Sequence, residues 1–212
     1  MKLELAVGSY DILVVDNACE AQVEAAVREV SKAAPPALQY VAEEIPGIVS
    51  ARNRCVETFL AGSWDALAFI DDDEWPATPR WLAGLIGAMT SYDVDITSGD
   101  VLSVADKGTP SWALDVLYRP SGRQEGTPVD VFYTGNVLLA RRVLEKIRPA
   151  FDPRFAMTGG SDYHFALKCL NAGFSAVHAD APVIEEFPSE RAKLAWFLRR
   201  GFRSGRVNQS CQ

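Results

Sequence analysis

Ala66-Leu67-Ala68-Phe69-Ile70-Asp71-Asp72-Asp73-Glu74 is the stretch that decides how this chain is read. Its five apolar residues predict a short buried strand, and four acids stand where that strand ends. In open α/β sheets, ligands bind beyond the carboxyl ends of the strands. Carboxylates packed this closely raise one another's pKa, and a divalent cation removes that penalty. An all-oxygen donor set suits Mg²⁺ or Mn²⁺. Alternate residues of an extended chain point the same way, so Asp71 and Asp73 can share a face. The competing reading is a solvated acidic loop that leads into a helix, with Thr78 as N-cap and Pro79 in the first turn.

Outward from this stretch, strand and helix alternate. Residues 12–15 read as a buried strand ending at Asp16 and Asn17. Val23, Val27 and Val30 give helical spacing over 20–32, and Pro35-Pro36 stops that helix. A strand over 38–41 and a helix over 48–61, closed by Gly62, precede the strand over 66–70 and a helix over 79–89. Three such alternations predict a parallel sheet with helical crossovers. From residue 93 the texture changes to short β-like pieces at 94–97, 101–104 and 129–133, with loops at 107–110 and 120–128. Helices near 141–147 and 161–172, a strand at 175–178 and a terminal helix from 189 complete the reading. The expectation is one domain with a sheet-rich second half.

Composition narrows the class. The chain has 212 residues, 48% of them hydrophobic, which suffices for a core. Its net charge of −7 argues against a general nucleic-acid binder. Cys19, Cys55, Cys169 and Cys211 form no CxxC pair, so a reducing, cytoplasmic setting is expected rather than a disulfide framework. No run approaches the roughly 18 apolar residues of a spanning helix. The first ten residues lack the plan of a signal peptide, and Leu3, Leu5 and Val7 fit either a strand or the remnant of a helix.

Six segments, in order, resemble motifs of the family 2 glycosyltransferases of the GT-A fold. Residues 11–17 (DILVVDN) resemble that family's second strand, and residues 47–53 (GIVSARN) its G-x-x-x-A-R-N helix start. Asp71-Asp72-Asp73 resembles the DxD motif, and Tyr133-Thr134-Gly135-Asn136 the step before the acceptor-side helix. Gly159-Gly160-Ser161-Asp162 resembles the G-(E/G)-x-D element. The trailing motif is matched by Glu185 or Glu186, Pro188, Arg191 and the basic segment 199–205. The resemblance implies an α/β, GT-A-like (Rossmann-like) fold with a mostly parallel sheet flanked by helices. Residues of about 11–100 would form the nucleotide-sugar half, and those of about 101–212 the acceptor side and a basic helix. It also implies metal-dependent, inverting transfer from a UDP- or GDP-linked sugar to a hydroxyl of a glycan or glycolipid, in cell-surface polysaccharide or glycolipid synthesis. One departure is that only ten residues precede Asp11, so the resemblance leads one to expect the family's first βα unit to be missing or reduced. The alternative is a truncated, non-catalytic module of the same fold that binds a nucleotide or a partner. A nucleotidyltransferase would need a Gly-rich phosphate loop near the N-terminus, and the sequence has none there.

Candidate residues follow. Asp71 and Asp73 are expected at the cation, and Asp71 and Asp72 at the donor. By resemblance, the last Asp of the motif contacts the metal, and the first contacts the metal or the ribose. Asp162 is the candidate general base, although an acid in a first helical turn also simply complements the helix dipole. Asp16 could accept from a base N–H or a ribose hydroxyl; with Asn17 it could equally make a capping turn. Arg52 could reach base or phosphate, with Asn53 beside it, or Arg52 could form a surface or interhelix ion pair. His178 is the candidate later metal ligand, against the commoner role of a structural histidine. Residues 191–206 hold six basic side chains and no acid, with Leu194, Phe197, Leu198 and Phe202 at helical spacing. This stretch reads either as a docked terminal helix or as one in peripheral contact with an anionic inner-membrane surface.

Overall fold

The structure is a computed structural model and describes residues 3–5, 8–32, 36–105, 107–114 and 120–210. Its first half follows the alternation in the sequence: β1 (Ile12–Asp16), α1 (Ala21–Ser31), β2 (Leu38–Ala42), α2 (Ile48–Ala61) and β3 (Ala66–Phe69). Then come β4 (Glu74–Pro76), α3 (Trp81–Ser91), β5 (Ile96–Ser98), β6 (Val101–Ala105), a short α4 (Ser111–Leu114), β7 (Val137–Ala140) and α5 (Arg141–Lys146). The chain closes with α6 (Ser161–Asn171), β8 (Ala176–His178), β9 (Val183–Phe187) and α7 (Leu194–Ser210).

The strands form a parallel pair β1-β2, a four-stranded sheet in the order β3-β7-β5-β8, and a three-stranded sheet in the order β4-β9-β6. β7 runs antiparallel to both β3 and β5, whereas β5 and β8 are parallel. Val137, Leu138 and Leu139 are all buried, because β7 is covered on both faces. Val137 and Leu139 join Val49, Val56 and Phe59 of α2 and Phe165 of α6 in the larger core, while Leu138 packs with Trp81, Leu82 and Leu85 of α3. The central sheet therefore lies between α2, α5 and α6 on one side and α3 on the other. Asn136, 1% exposed, fixes the start of β7. Its Oδ1 accepts from Trp81 Nε1 (2.9 Å), and its Nδ2 donates to the carbonyls of Asp100 (3.0 Å) and Ala181 (2.8 Å).

Several local expectations are corrected. Residues 129–133 form no strand. The segment is held by an isolated bridge from Pro128 to Val177 and by the Val129 amide on the Ala176 carbonyl, with Phe132 as a buried plug. α3 starts at Trp81, after a turn in which the Trp81 amide donates to the Thr78 carbonyl, so Thr78 and Pro79 precede the helix. A 3₁₀ turn at Ser189–Arg191 precedes α7. Leu3–Leu5 has no regular structure: the Glu4 amide donates to the Pro79 carbonyl, and Leu3 and Leu5 pack against the α3 core. Val7 lies outside the described residues.

Candidate active site at the acidic turn

β3 delivers the acids, but not as an extended strand. The Glu74 amide donates to the Asp71 carbonyl (3.2 Å), closing residues 71–74 into a turn that leads into β4. The Asp71 amide in turn donates to Glu74 Oε2 (3.2 Å). Asp71 and Asp73 are therefore placed by a turn rather than by strand alternation.

These acids share one electrostatic neighbourhood. Burial raises the Asp71 carboxyl; Arg52 opposes this, while Asp73, Asp162 and Asp72 add to it. Glu74 is pushed up to about 8, first by burial and then, against the bond from the Asp71 amide, by Asp71, Glu185 and Asp73. Glu185 is also raised, by burial and then by Asp73, although the Ser103 hydroxyl donates to it (3.4 Å). Glu185 faces Glu74 directly across the β4–β9 pairing. The acids of β3, β4, β9 and α6 thus converge on one place.

Arg52 links this field to the head of α6. It is 9% exposed, with Nη2 3.7 Å from Asp71 Oδ1 and Nη1 donating to Ser161 Oγ (3.3 Å). Its guanidinium also sits 5.7 Å from the Phe151 ring. Asn53 holds that ring in place through the Phe151 backbone: Nδ2 donates to the carbonyl (2.8 Å) and Oδ1 accepts from the amide (3.0 Å). Gly159 (φ 77°) and Gly160 (φ 85°) take left-handed conformations that turn the chain into α6. Asp162 occupies the first turn of α6, where Oδ1 accepts from the Tyr163 amide (2.9 Å). Tyr133 lies close by, its phenol raised by burial and then by Asp162.

Other candidates are engaged elsewhere. Asp16 Oδ1 accepts from the Ala18 (2.9 Å) and Cys19 (3.0 Å) amides, and Oδ2 from the Glu20 amide (2.9 Å) and the Tyr40 hydroxyl (2.9 Å). Burial works to raise the Asp16 carboxyl, but Tyr40 and the three amides outweigh it and leave it low. Asn17 staples the loop before α2, with Nδ2 on the Glu43 (2.8 Å) and Ile45 (2.7 Å) carbonyls and Oδ1 on the Gly47 amide (2.6 Å). His178 is buried at the end of β8, across the sheet from β3. Three strand spacings, about 14 Å, separate the two strands.

Among the described residues, no three His, Cys, Asp or Glu side chains are arranged to hold a metal ion. The donor chemistry at the turn nevertheless fits a cation of the Mg²⁺ class, which is held by one or two carboxylates together with substrate phosphates and water. Sequence reading missed the burial of Glu74 and its pairing with Glu185. Only the registry of two strands more than a hundred residues apart brings these acids together.

The profile of glycosyl transferase family 2 matches residues 4–148. Over 205 residues the chain is 29% identical to the succinoglycan biosynthesis protein ExoM of Rhizobium meliloti, covering 93% of this chain and 63% of that protein. Over 198 residues it is 27% identical to the glycosyltransferase AglE of Haloferax volcanii, covering 93% of this chain and 62% of the relative. The chain thus spans under two thirds of the length of these curated relatives. In fold it is similar to GalNAc-T7, solved with UDP, GalNAc and Mn²⁺, with a TM-score of 0.63 and 15% identity over 84% of this chain and 38% of that one. With the profile spanning most of the chain and the acidic turn, Arg52 and its GT-A-like frame in place, this protein belongs to glycosyl transferase family 2.

Proposed function

We propose that this chain transfers a sugar from a nucleotide-diphosphate sugar to a hydroxyl acceptor with inversion, in the assembly of a surface polysaccharide or glycolipid. The observation that carries this reading is the Arg52 bridge, which joins Asp71 of the acidic turn to Ser161, the neighbour of Asp162. Asp71 and Asp73 are the residues to hold Mg²⁺ or Mn²⁺. When bound, the cation would supply Lewis-acid neutralisation of the departing diphosphate. Arg52 offers a second positive charge to the diphosphate, and Asp72 lies on the donor side. Asp16 and Asn17, whose side chains are spent on their own loop, frame the donor half. Asp162 takes the proton of the acceptor hydroxyl as its oxygen bonds to the anomeric carbon and the bond from that carbon to the diphosphate breaks. The test is calorimetry with UDP and with GDP, each with and without Mn²⁺. Binding to one nucleotide that strengthens at least tenfold with Mn²⁺ is expected, and no binding under any condition would remove the proposal. Slow, Mn²⁺-dependent hydrolysis of the matching donor sugar would separate an enzyme from a non-catalytic binding module.

The acceptor side carries a second part of the reading, peripheral contact with an anionic membrane. Among the described residues, no helix is long and apolar enough to cross a membrane. α7 docks through Trp196 and Phe197, whose rings lie 5.5 and 6.0 Å from that of Phe187. Leu194, Leu198 and Phe202 lie one turn apart along the helix and are 64%, 65% and 71% exposed. A basic helix with such a stripe suits an interface rich in anionic lipid. Co-sedimentation with vesicles containing phosphatidylglycerol is expected, with loss in Leu198→Glu; equal recovery with neutral vesicles would rule this part out.

A further inference from the structure

Glu74 differs from the other acids of the turn in where its carboxyl goes. Oε2 accepts the amide of Asp71 while the Glu74 amide donates to the Asp71 carbonyl, so the first and fourth residues of the turn clasp each other. The carboxyl rests against Gly135, where an added Cβ would lie 2.6 Å from Oε1 and 3.0 Å from Oε2. Gly135 is not among the left-handed glycines, so backbone conformation alone does not demand glycine there. The space taken by the Glu74 carboxyl does. In register, Glu74 lies beside Glu185 of β9, which in turn lies beside Ser103 of β6, so the clasp is anchored in the three-stranded sheet.

We propose that Glu74 is a positioning residue for the acidic turn, seated on the bare Cα of Gly135, and that it fixes where Asp71 and Asp73 present their carboxylates. The proposal rests on reading this turn as the place of the donor's cation. Its physical basis is repulsion: Asp71, Asp72 and Asp73 push one another apart, and the reciprocal bonds hold the turn closed against that push. Removing the acceptor would leave the partly buried Asp71 amide without its partner. A methyl at position 135 would meet the far end of a flexible side chain, so Gly135→Ala should displace the Glu74 carboxyl and leave the backbone of Gly135 in place.

The experiment compares the wild type with Glu74→Gln, Glu74→Ala, Gly135→Ala and the double variant Glu74→Ala/Gly135→Ala. Amide hydrogen exchange over residues 70–75 is one readout, and Mn²⁺-dependent UDP affinity is the other. Exchange is expected to rise about tenfold in Glu74→Ala and in Gly135→Ala, as for the loss of one hydrogen bond. Glu74→Gln should stay near wild type, because its amide oxygen accepts the same bond. The double variant should match Glu74→Ala, because without the carboxyl there is nothing for the new methyl to displace. UDP affinity in Mn²⁺ should fall about tenfold in the same variants, again with rescue in Glu74→Gln. Unchanged exchange in Glu74→Ala, or additive effects in the double variant, would overturn the clasp. Raised exchange with unchanged Mn²⁺-dependent affinity would overturn its positioning role. Raised exchange in a protein that binds no UDP even as wild type would uphold the clasp and remove the donor reading instead.

Discussion

Asp73→Asn is expected to remove the Mn²⁺-dependent part of UDP binding and to lower turnover about 10³-fold, the several kcal/mol that a Lewis-acid cation supplies at a leaving diphosphate. The substitution keeps the shape of the side chain and deletes one charge. Its effect on stability should have the opposite sign. Asp73 raises the carboxyls of Asp71, Glu74 and Glu185, so its charge opposes ionisation of all three in the folded protein. With that charge gone, their folded pKa values move back toward ordinary ones. Glu74, pushed up to about 8, binds its proton more tightly folded than unfolded, so folding is favoured below its unfolded value of 4.5 and loses that advantage as pH rises to about 8. Asp73→Asn should therefore raise the urea midpoint at pH 8 and change it less at pH 5. A variant less active yet more stable is the signature of a site whose repulsion serves a ligand. Calorimetry with UDP and Mn²⁺, steady-state rates and urea titration at the two pH values check the three parts. Unchanged Mn²⁺ dependence in Asp73→Asn would place the cation elsewhere.

The parts of the fold legible in the sequence are those set by local pattern. β1, α1, β2, α2 and β3 stand where apolar runs, helical spacing and Pro or Gly stops place them. β7 was not legible, because Val137-Leu138-Leu139-Ala140 is a short apolar run leading straight into α5, and periodicity cannot separate such a strand from the start of a helix. β4 and β9 are three and five residues long, and they pair across more than a hundred positions. The chemistry divides in the same way. Asp71, Asp73 and Asp162 could be named because acids at a strand end and at a helix start carry a local signal. Asp16 and Asn17 carried the same signal, yet their side chains close turns within their own loops. The position of His178 at a strand end is legible locally, whereas the strand order that sets β8 at the other edge of the sheet from β3 is not. Arg52 was legible as a basic residue one turn into a helix, whereas its burial between Asp71, Ser161 and Phe151 depends on three separate elements.

Asp162→Asn should separate proton transfer from donor binding. A positioned general base contributes about 10²–10⁴-fold, and a loss of that size in kcat is expected with the KM for the donor sugar nearly unchanged. The carboxyl also sits in the first turn of α6, where it accepts from the Tyr163 amide and complements the helix dipole. At this partly buried position that structural part is worth up to about 2 kcal/mol, and it bears on folding rather than on proton transfer. Asparagine keeps an oxygen for the Tyr163 amide, so the thermal midpoint should move by only a few degrees, while the side chain can no longer take a proton from the acceptor hydroxyl. The two readouts then diverge: kcat collapses while folding and Mn²⁺-dependent UDP affinity persist. Transfer in Asp162→Asn within threefold of wild type would assign the base to another residue; loss of UDP binding together with kcat would make Asp162 part of the donor site.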